Sequence, residues 1–198
     1  MADFSRVKKN LTERGYTVTV CETREEAAAY LNGAIDGVSV AFGGSRTLKD
    51  MGLYDMLKTH NEVLWHWEDG PGALPSAMQT DVYVSSVNAM AQTGESVNID
   101  GNGNRVSSTL FGHKKVYLVV GANKLAETLE DAIWRARNVA GPIRAQQMGK
   151  KTPCALKADR CYDCKSPERI CNGLTVLWHK MGGVKECEVV VIGEELGY

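Results

Sequence analysis

A chain of 198 residues that is 43% hydrophobic can bury one substantial core without disulfides, and it reads as a single domain over 1–198. A formal net charge of -1 gives no general attraction to nucleic acid or anionic lipid. No stretch approaches the roughly 18 uninterrupted apolar residues of a membrane span, and MADFSRVKKNLTERG lacks the apolar centre of a secretion signal, so a cytoplasmic protein without membrane insertion is expected.

Phe4, Val7 and Leu11 recur at helical spacing and predict a helix over 2–14, stopped at Gly15. YTVTVC reads as a strand, and Thr23 with Glu26 fits a capping box opening an alanine-rich helix to Leu31. DGVSVAF is a β-prone run leading into Gly43, Gly44 and Ser45, with a helix from near Thr47. NEVLWHW alternates, so that Trp65 and Trp67 share one face, and EDGPGALP is a loop. DVYVSSVNAM and KKVYLVVGANK each supply a strand, and the Asp-Gly and Asn-Gly pairs of NIDGNGNR predict a small hairpin between them. Leu125, Leu129, Ala132, Ile133 and Ala136 form the stripe of a helix over 124–138, and ECEVVVIGEE is a buried final strand. Strands alternating with helices predict an α/β fold, a mainly parallel sheet with helices on both faces.

The first chemical candidate is VAFGGSRT. Paired glycines let backbone amides approach an anion, Ser45 or Thr47 can cap the next helix, and Arg46 adds charge, so Gly43, Gly44, Ser45, Arg46 and Thr47 are candidate ligands for a carboxylate or phosphate. The same loop also reads as a simple tight turn. It is neither a Walker loop nor GxGxxG, so no nucleotide cofactor is implied. A second polar cluster, with Asp100, Asn104 and Arg105 after Glu95, is either a turn supported by Asx side chains or part of the same pocket. The histidines are scattered and read as ordinary strand or surface residues.

The third candidate is a cysteine-rich insertion over 150–173, before the last strand. Cys154, Cys161, Cys164 and Cys171 stand there among six cysteines in the chain. In a reducing compartment such clusters bind metal or do redox chemistry more often than they form disulfides. The central C-x2-C pair has the spacing that aims two sulfurs at one ion, and the predicted centre is zinc or a [4Fe-4S] cluster. Paired or free thiols remain the alternative. Cys21 and Cys187 lie in strand-like runs and read as small buried hydrophobes.

FGGSRTLKDMGLYD, the long segment from DVYVSSVNAM through VNIDGNGNR to GANK, and PCALKADRCYDCKSPERIC together resemble the LUD-domain family of lactate utilisation proteins. The resemblance implies the Rossmann-like fold shared by sugar-phosphate isomerases, folate cyclo-ligases and CoA transferases. It also implies oxidation of lactate or another 2-hydroxy acid with redox partner subunits, which turns the metal expectation towards iron-sulfur. CoA transferases use a glutamate nucleophile, so the resemblance makes Glu95 the candidate nucleophile or general base, facing the Gly43 loop. Two other functions compete: an isomerase or transferase binding a small anionic phosphate or acyl-CoA ligand, and a metal-stabilised binding module without catalysis.

Overall fold

The computed structural model describes residues 3–198; Ala2, where the predicted first helix begins, lies outside them. The β-branched runs condense into one six-stranded sheet made of β1 (Thr17–Cys21), β2 (Ser39–Phe42), β3 (Glu62–Trp65), β4 (Val82–Ser85), β7 (Lys115–Gly121) and β10 (Glu186–Ile192). Its order is β1-β10-β7-β4-β2-β3, and every neighbouring pair is parallel. Parallel strands are covered on both faces, and their residues divide by alternation. Phe42, Val84, Val119, Val190 and Ile192 pack with Ala27, Leu31, Leu48, Leu53 and Leu57 on one side. Ala41, Tyr83, Leu118, Val120, Val189 and Val191 pack with Val7 and Leu11 on the other. The expected α/β sheet with helices on both faces is therefore present, and Cys21 and Cys187 are buried within it.

Several local expectations are corrected. Helix α1 (Ser5–Glu13) ends before Gly15 as predicted, and Thr23 caps α2 (Arg24–Ala34) by accepting from the Glu26 amide. The reciprocal half of that capping box is missing, because the Glu26 carboxylate accepts from the Glu22 amide instead. A complete box stands at Thr128 and Asp131. It starts α7 (Leu129–Arg135) later than the predicted helix, and Leu125 belongs to a short strand, β8 (Leu125–Ala126). The helix then passes through a π-helical segment at 136–140 into α8 (Gly141–Gln147).

DVYVSSVNAM is not one strand. After β4 the chain leaves the main sheet, and β5 (Ala89–Ala91) enters a second, four-stranded sheet of order β8-β5-β6-β9, with β6 (Ser96–Asp100) and β9 (Gly173–Leu177). The hairpin lies one turn earlier than predicted, joining antiparallel β5 and β6. The Asp-Gly and Asn-Gly turn instead leads into helix α6 (Asn104–Leu110). Asp100 explains the switch: its carboxylate accepts from the amides of Asn102, Gly103 and Val106, which organises the turn and the first helical residues. Strand β9, unseen in the sequence, joins the cysteine segment to this sheet by pairing antiparallel with β6. Ala132 and Ala136 pack on Ala89, Ala91 and Val97 to give this sheet its own core. Among the described residues no helix is long and apolar enough to cross a membrane.

Candidate functional site

Strands β7, β4, β2 and β3 are neighbours, and the loops beyond their carboxyl ends line one cleft of about 580 Å³. Open parallel sheets commonly bind ligands in this position. Gly44, Ser45 and Arg46 follow β2, His66 and Trp67 follow β3, Ser86 and Asn88 follow β4, and Lys124 follows β7. The facing wall is built from the Asp100–Arg105 turn, Arg144 of α8, Lys150, residues 167–172 and Tyr198. Among the described side chains that line the cleft, Arg46, Arg105, Lys124, Arg144, Lys150 and Arg169 stand against Asp100 and Glu168, so the cleft is strongly cationic although the chain is near neutral.

The predicted Gly43–Thr47 loop divides its roles. Gly43 does not line the cleft; its amide donates to the Val84 carbonyl, at 2.9 Å. A Cβ there would come within 2.5 Å of Ser85 Oγ and 2.8 Å of Tyr83 Oη, so the packing requires glycine. Gly44 packs against the Trp67 indole, and the Ser45 hydroxyl caps α3 (Arg46–Asp50) by accepting from the Leu48 amide. Arg46 stays half-exposed and pairs with Asp50 at 2.7 Å. Thr47 is buried behind the loop, where its hydroxyl accepts from Lys124 Nζ at 2.7 Å.

Lys124 is the residue that the sequence reading passed over. It ends GANK, and its only sequence signal was a lysine directly after a long apolar strand and its glycine turn. Its side chain is 4% exposed, and Nζ also donates to Ser86 Oγ at 2.9 Å. Burial first, then the nearby Arg135 and Arg105 guanidiniums, pulls its pKa down to about 7. His66, also on the cleft, is held below the ordinary imidazole value by burial and by Arg144. Arg144 itself lies over the Trp67 ring, 4.7 Å from its centroid.

Arg105 lines the cleft, but four of its five N–H groups are committed within the protein. Nη1 donates to the Ser86 carbonyl and Asn98 Oδ1, and Nη2 donates to Asn88 Oδ1 and the Ile99 carbonyl. It braces the end of β4 to β6 while contributing charge. Asp100 and Asn104 are also on the cleft, although the Asp100 carboxylate is occupied by its turn.

Glu95 is not on the cleft, which corrects its expected place beside the Gly43 loop. It sits on the β5–β6 turn, and its carboxylate accepts from Arg14 Nη2 of the α1 C-terminus at 2.6 Å and from the Thr93 hydroxyl. Both partners are largely buried, so Glu95 fastens the second sheet to the first helix.

Cys154, Cys161, Cys164 and Cys171 line a second cavity of about 410 Å³, which shares Ile99, Gly141, Arg169, Ile170, Cys171 and Asn172 with the cleft. The C-x2-C turn is tight: Asp163 adopts φ 45° and its amide donates to Cys161 Sγ at 3.3 Å. Arg169 donates to the carbonyls of Cys164 and Cys171 at 2.7 and 3.0 Å, drawing their segments together. Burial raises the Cys171 thiol pKa; Arg169 opposes the shift, and Cys161 and Cys164 add to it. All four thiols are free, and among the described residues no three His, Cys, Asp or Glu side chains are disposed to close around a metal ion.

The LUD domain family model matches residues 4–192, nearly the whole chain. A crystal structure of a DUF162 family protein from Deinococcus radiodurans aligns with a TM-score of 0.57 at 12% identity, over 97% of this chain and 99% of that one. Ribose 5 phosphate isomerase A from Neisseria gonorrhoeae aligns with a TM-score of 0.35 at 12% identity, over 55% of this chain and 57% of that one. Comparison with curated proteins finds no match. The chain belongs to the LUD-domain family.

Proposed function

We propose that this chain is an enzyme of the isomerase or transferase type, acting on a small substrate that carries a phosphate or carboxylate. The observation that carries the reading is a buried amine, Lys124, on a cleft otherwise rich in fixed guanidinium charge. Arginines suffice to hold an anion. A lysine kept near neutrality adds little to that hold, but it can take up or deliver a proton at physiological pH. Inorganic phosphate is expected to raise the melting temperature in a saturable way, and to do so less at high salt. Arg144→Ala should weaken that binding about tenfold, the loss of roughly one charge-assisted contact. Phosphate titrations that leave the melting temperature unmoved, or that are indifferent to Arg144→Ala, would remove this reading.

A second reading is a metal centre on Cys154, Cys161, Cys164 and Cys171, serving 2-hydroxy-acid oxidation with redox partner subunits. It is supported by the N–H to sulfur bond inside the Cys161–Cys164 turn and by the cavity that the four thiols share. Thiolates suit either zinc or iron-sulfur, and Arg137 and Arg169 stand close enough to offset their charge. Protein purified without oxygen is expected to carry about one zinc ion or one iron-sulfur cluster per chain, as four thiolates provide for one centre, with Cys164→Ser losing most of it. Metal and sulfide contents at background in the wild-type protein would sink the idea.

A further inference from the structure

Anion binding alone does not account for Lys124. Its Nζ lies between two hydroxyls, Thr47 Oγ1 at 2.7 Å and Ser86 Oγ at 2.9 Å, with the side chain almost wholly buried. Those hydroxyls have backbone acceptors of their own, the Leu196 carbonyl for Thr47 and the Val87 carbonyl for Ser86. Among the described residues the amine makes no salt bridge to a carboxylate, and of the charges that act on it Arg135 and Arg105 outweigh Asp50. A lysine fixed this way is poorly placed as a charge and well placed as a nucleophile, since desolvation beside other cations keeps an amine unprotonated and reactive. We propose that Lys124 forms an imine with a carbonyl compound that also bears a phosphate or carboxylate, the anion resting on the arginines of the same cleft. This rests on the reading of the cleft as an anion site and adds the functional group that the substrate must carry.

The step balances within the site. The neutral Lys124 amine adds to the carbonyl carbon, forming the C–N bond. The former carbonyl oxygen gains a proton and the nitrogen gives one up, with the Thr47 and Ser86 hydroxyls as the adjacent relay. The carbinolamine then loses water, so that amine and carbonyl yield imine and water. No redox change is involved. Two sources share this chemistry, a 2-oxo acid and a ketose or aldose phosphate, and trapping distinguishes them.

The whole protein is incubated with pyruvate or with dihydroxyacetone phosphate, and sodium borohydride is added to reduce the C=N bond to a stable secondary amine. With at least one probe, intact mass is expected to rise by the ligand less one oxygen atom, and peptide mapping should place the adduct on Lys124. Acetone, which has the carbonyl but no anion, should leave that peptide unmodified, and excess inorganic phosphate should suppress labelling. Lys124→Met, checked for folding by circular dichroism, should lose the adduct. Mapping in the wild-type protein decides the matter even if that variant fails to fold. If a probe binds saturably and competes with phosphate but leaves no adduct on Lys124, the imine is overturned and the anion site stands. If neither probe nor phosphate binds, both fall. Labels spread over surface lysines and undiminished in Lys124→Met also overturn it.

Discussion

Lys124→Met is expected to make the folded protein more stable at pH 7, by roughly 1–3 kcal/mol, although it removes two hydrogen bonds of about 1 kcal/mol each. Burial lowers the Lys124 pKa from 10.5 to about 7, with Arg105 and Arg135 acting in the same direction and Asp50 opposing them. The unfolded chain therefore holds a proton on this amine between about pH 7 and 10.5 that the folded chain has released. Stability from this group rises with pH across that interval, and below pH 7 the folded state carries the full cost of a buried ammonium, on the order of several kcal/mol. Methionine is similar in length and uncharged, and it avoids this cost. Buried Cys187, whose thiol is pushed up to about 12, contributes an opposite slope at high pH in both proteins. The informative quantity is therefore the difference between the two urea-unfolding curves. That difference should be largest near pH 6–7 and shrink towards pH 10. A variant less stable than wild type at pH 7, or a difference that does not change with pH, would show that Lys124 is held as an ordinary structural ammonium. The expected gain is the usual exchange of stability against function.

The parallel sheet was legible in the sequence because strands buried on both faces appear as unbroken apolar runs, VAF in β2, VYLVV in β7 and VVVI in β10. The second sheet was not. Its strands β5 and β8 have three and two residues, and AMA and LA carry no period of their own; β5 and β9 pair with β6, and β8 with β5, only where the chain brings them together. The Gly43–Thr47 loop was visible through its glycines, and three of its residues do line the cleft. Lys124 was missed because a single lysine after a strand looks like a solvated loop residue; its burial is decided by Thr47 and Ser86, at sequence separations of 77 and 38. Glu95 was misplaced for a related reason. An acid next to a polar turn gives no sign of which face it will occupy, and its partner Arg14 is 81 residues away. The four cysteines, read from the sequence as ligands of one metal centre, line one cavity, since C-x2-C is a local turn and Arg169 fastens the next segment to it.

Arg105→Ala is expected to cost about 3 kcal/mol or more of stability, because it removes four charge-assisted hydrogen bonds from a buried guanidinium at once. The Ser86 carbonyl closes the main sheet at the end of β4, the Asn88 and Asn98 side chains border the second sheet, and the Ile99 carbonyl lies in β6. One planar guanidinium serves all four, a geometry that a single ammonium cannot reproduce. Arg105→Lys should therefore lose most of the same stability while keeping the charge. The two variants separate brace from field: if charge on the cleft were what mattered, lysine would restore both stability and phosphate binding. If the brace matters, both variants unfold at lower urea concentration, and both bind phosphate more weakly because the Asp100–Arg105 turn no longer holds the cleft wall in place. Wild-type stability in Arg105→Lys would refute the brace. The expected outcome places this arginine among the residues that hold the two sheets in register around Lys124, with Arg46, Arg144 and Lys150 left as cations for the proposed substrate.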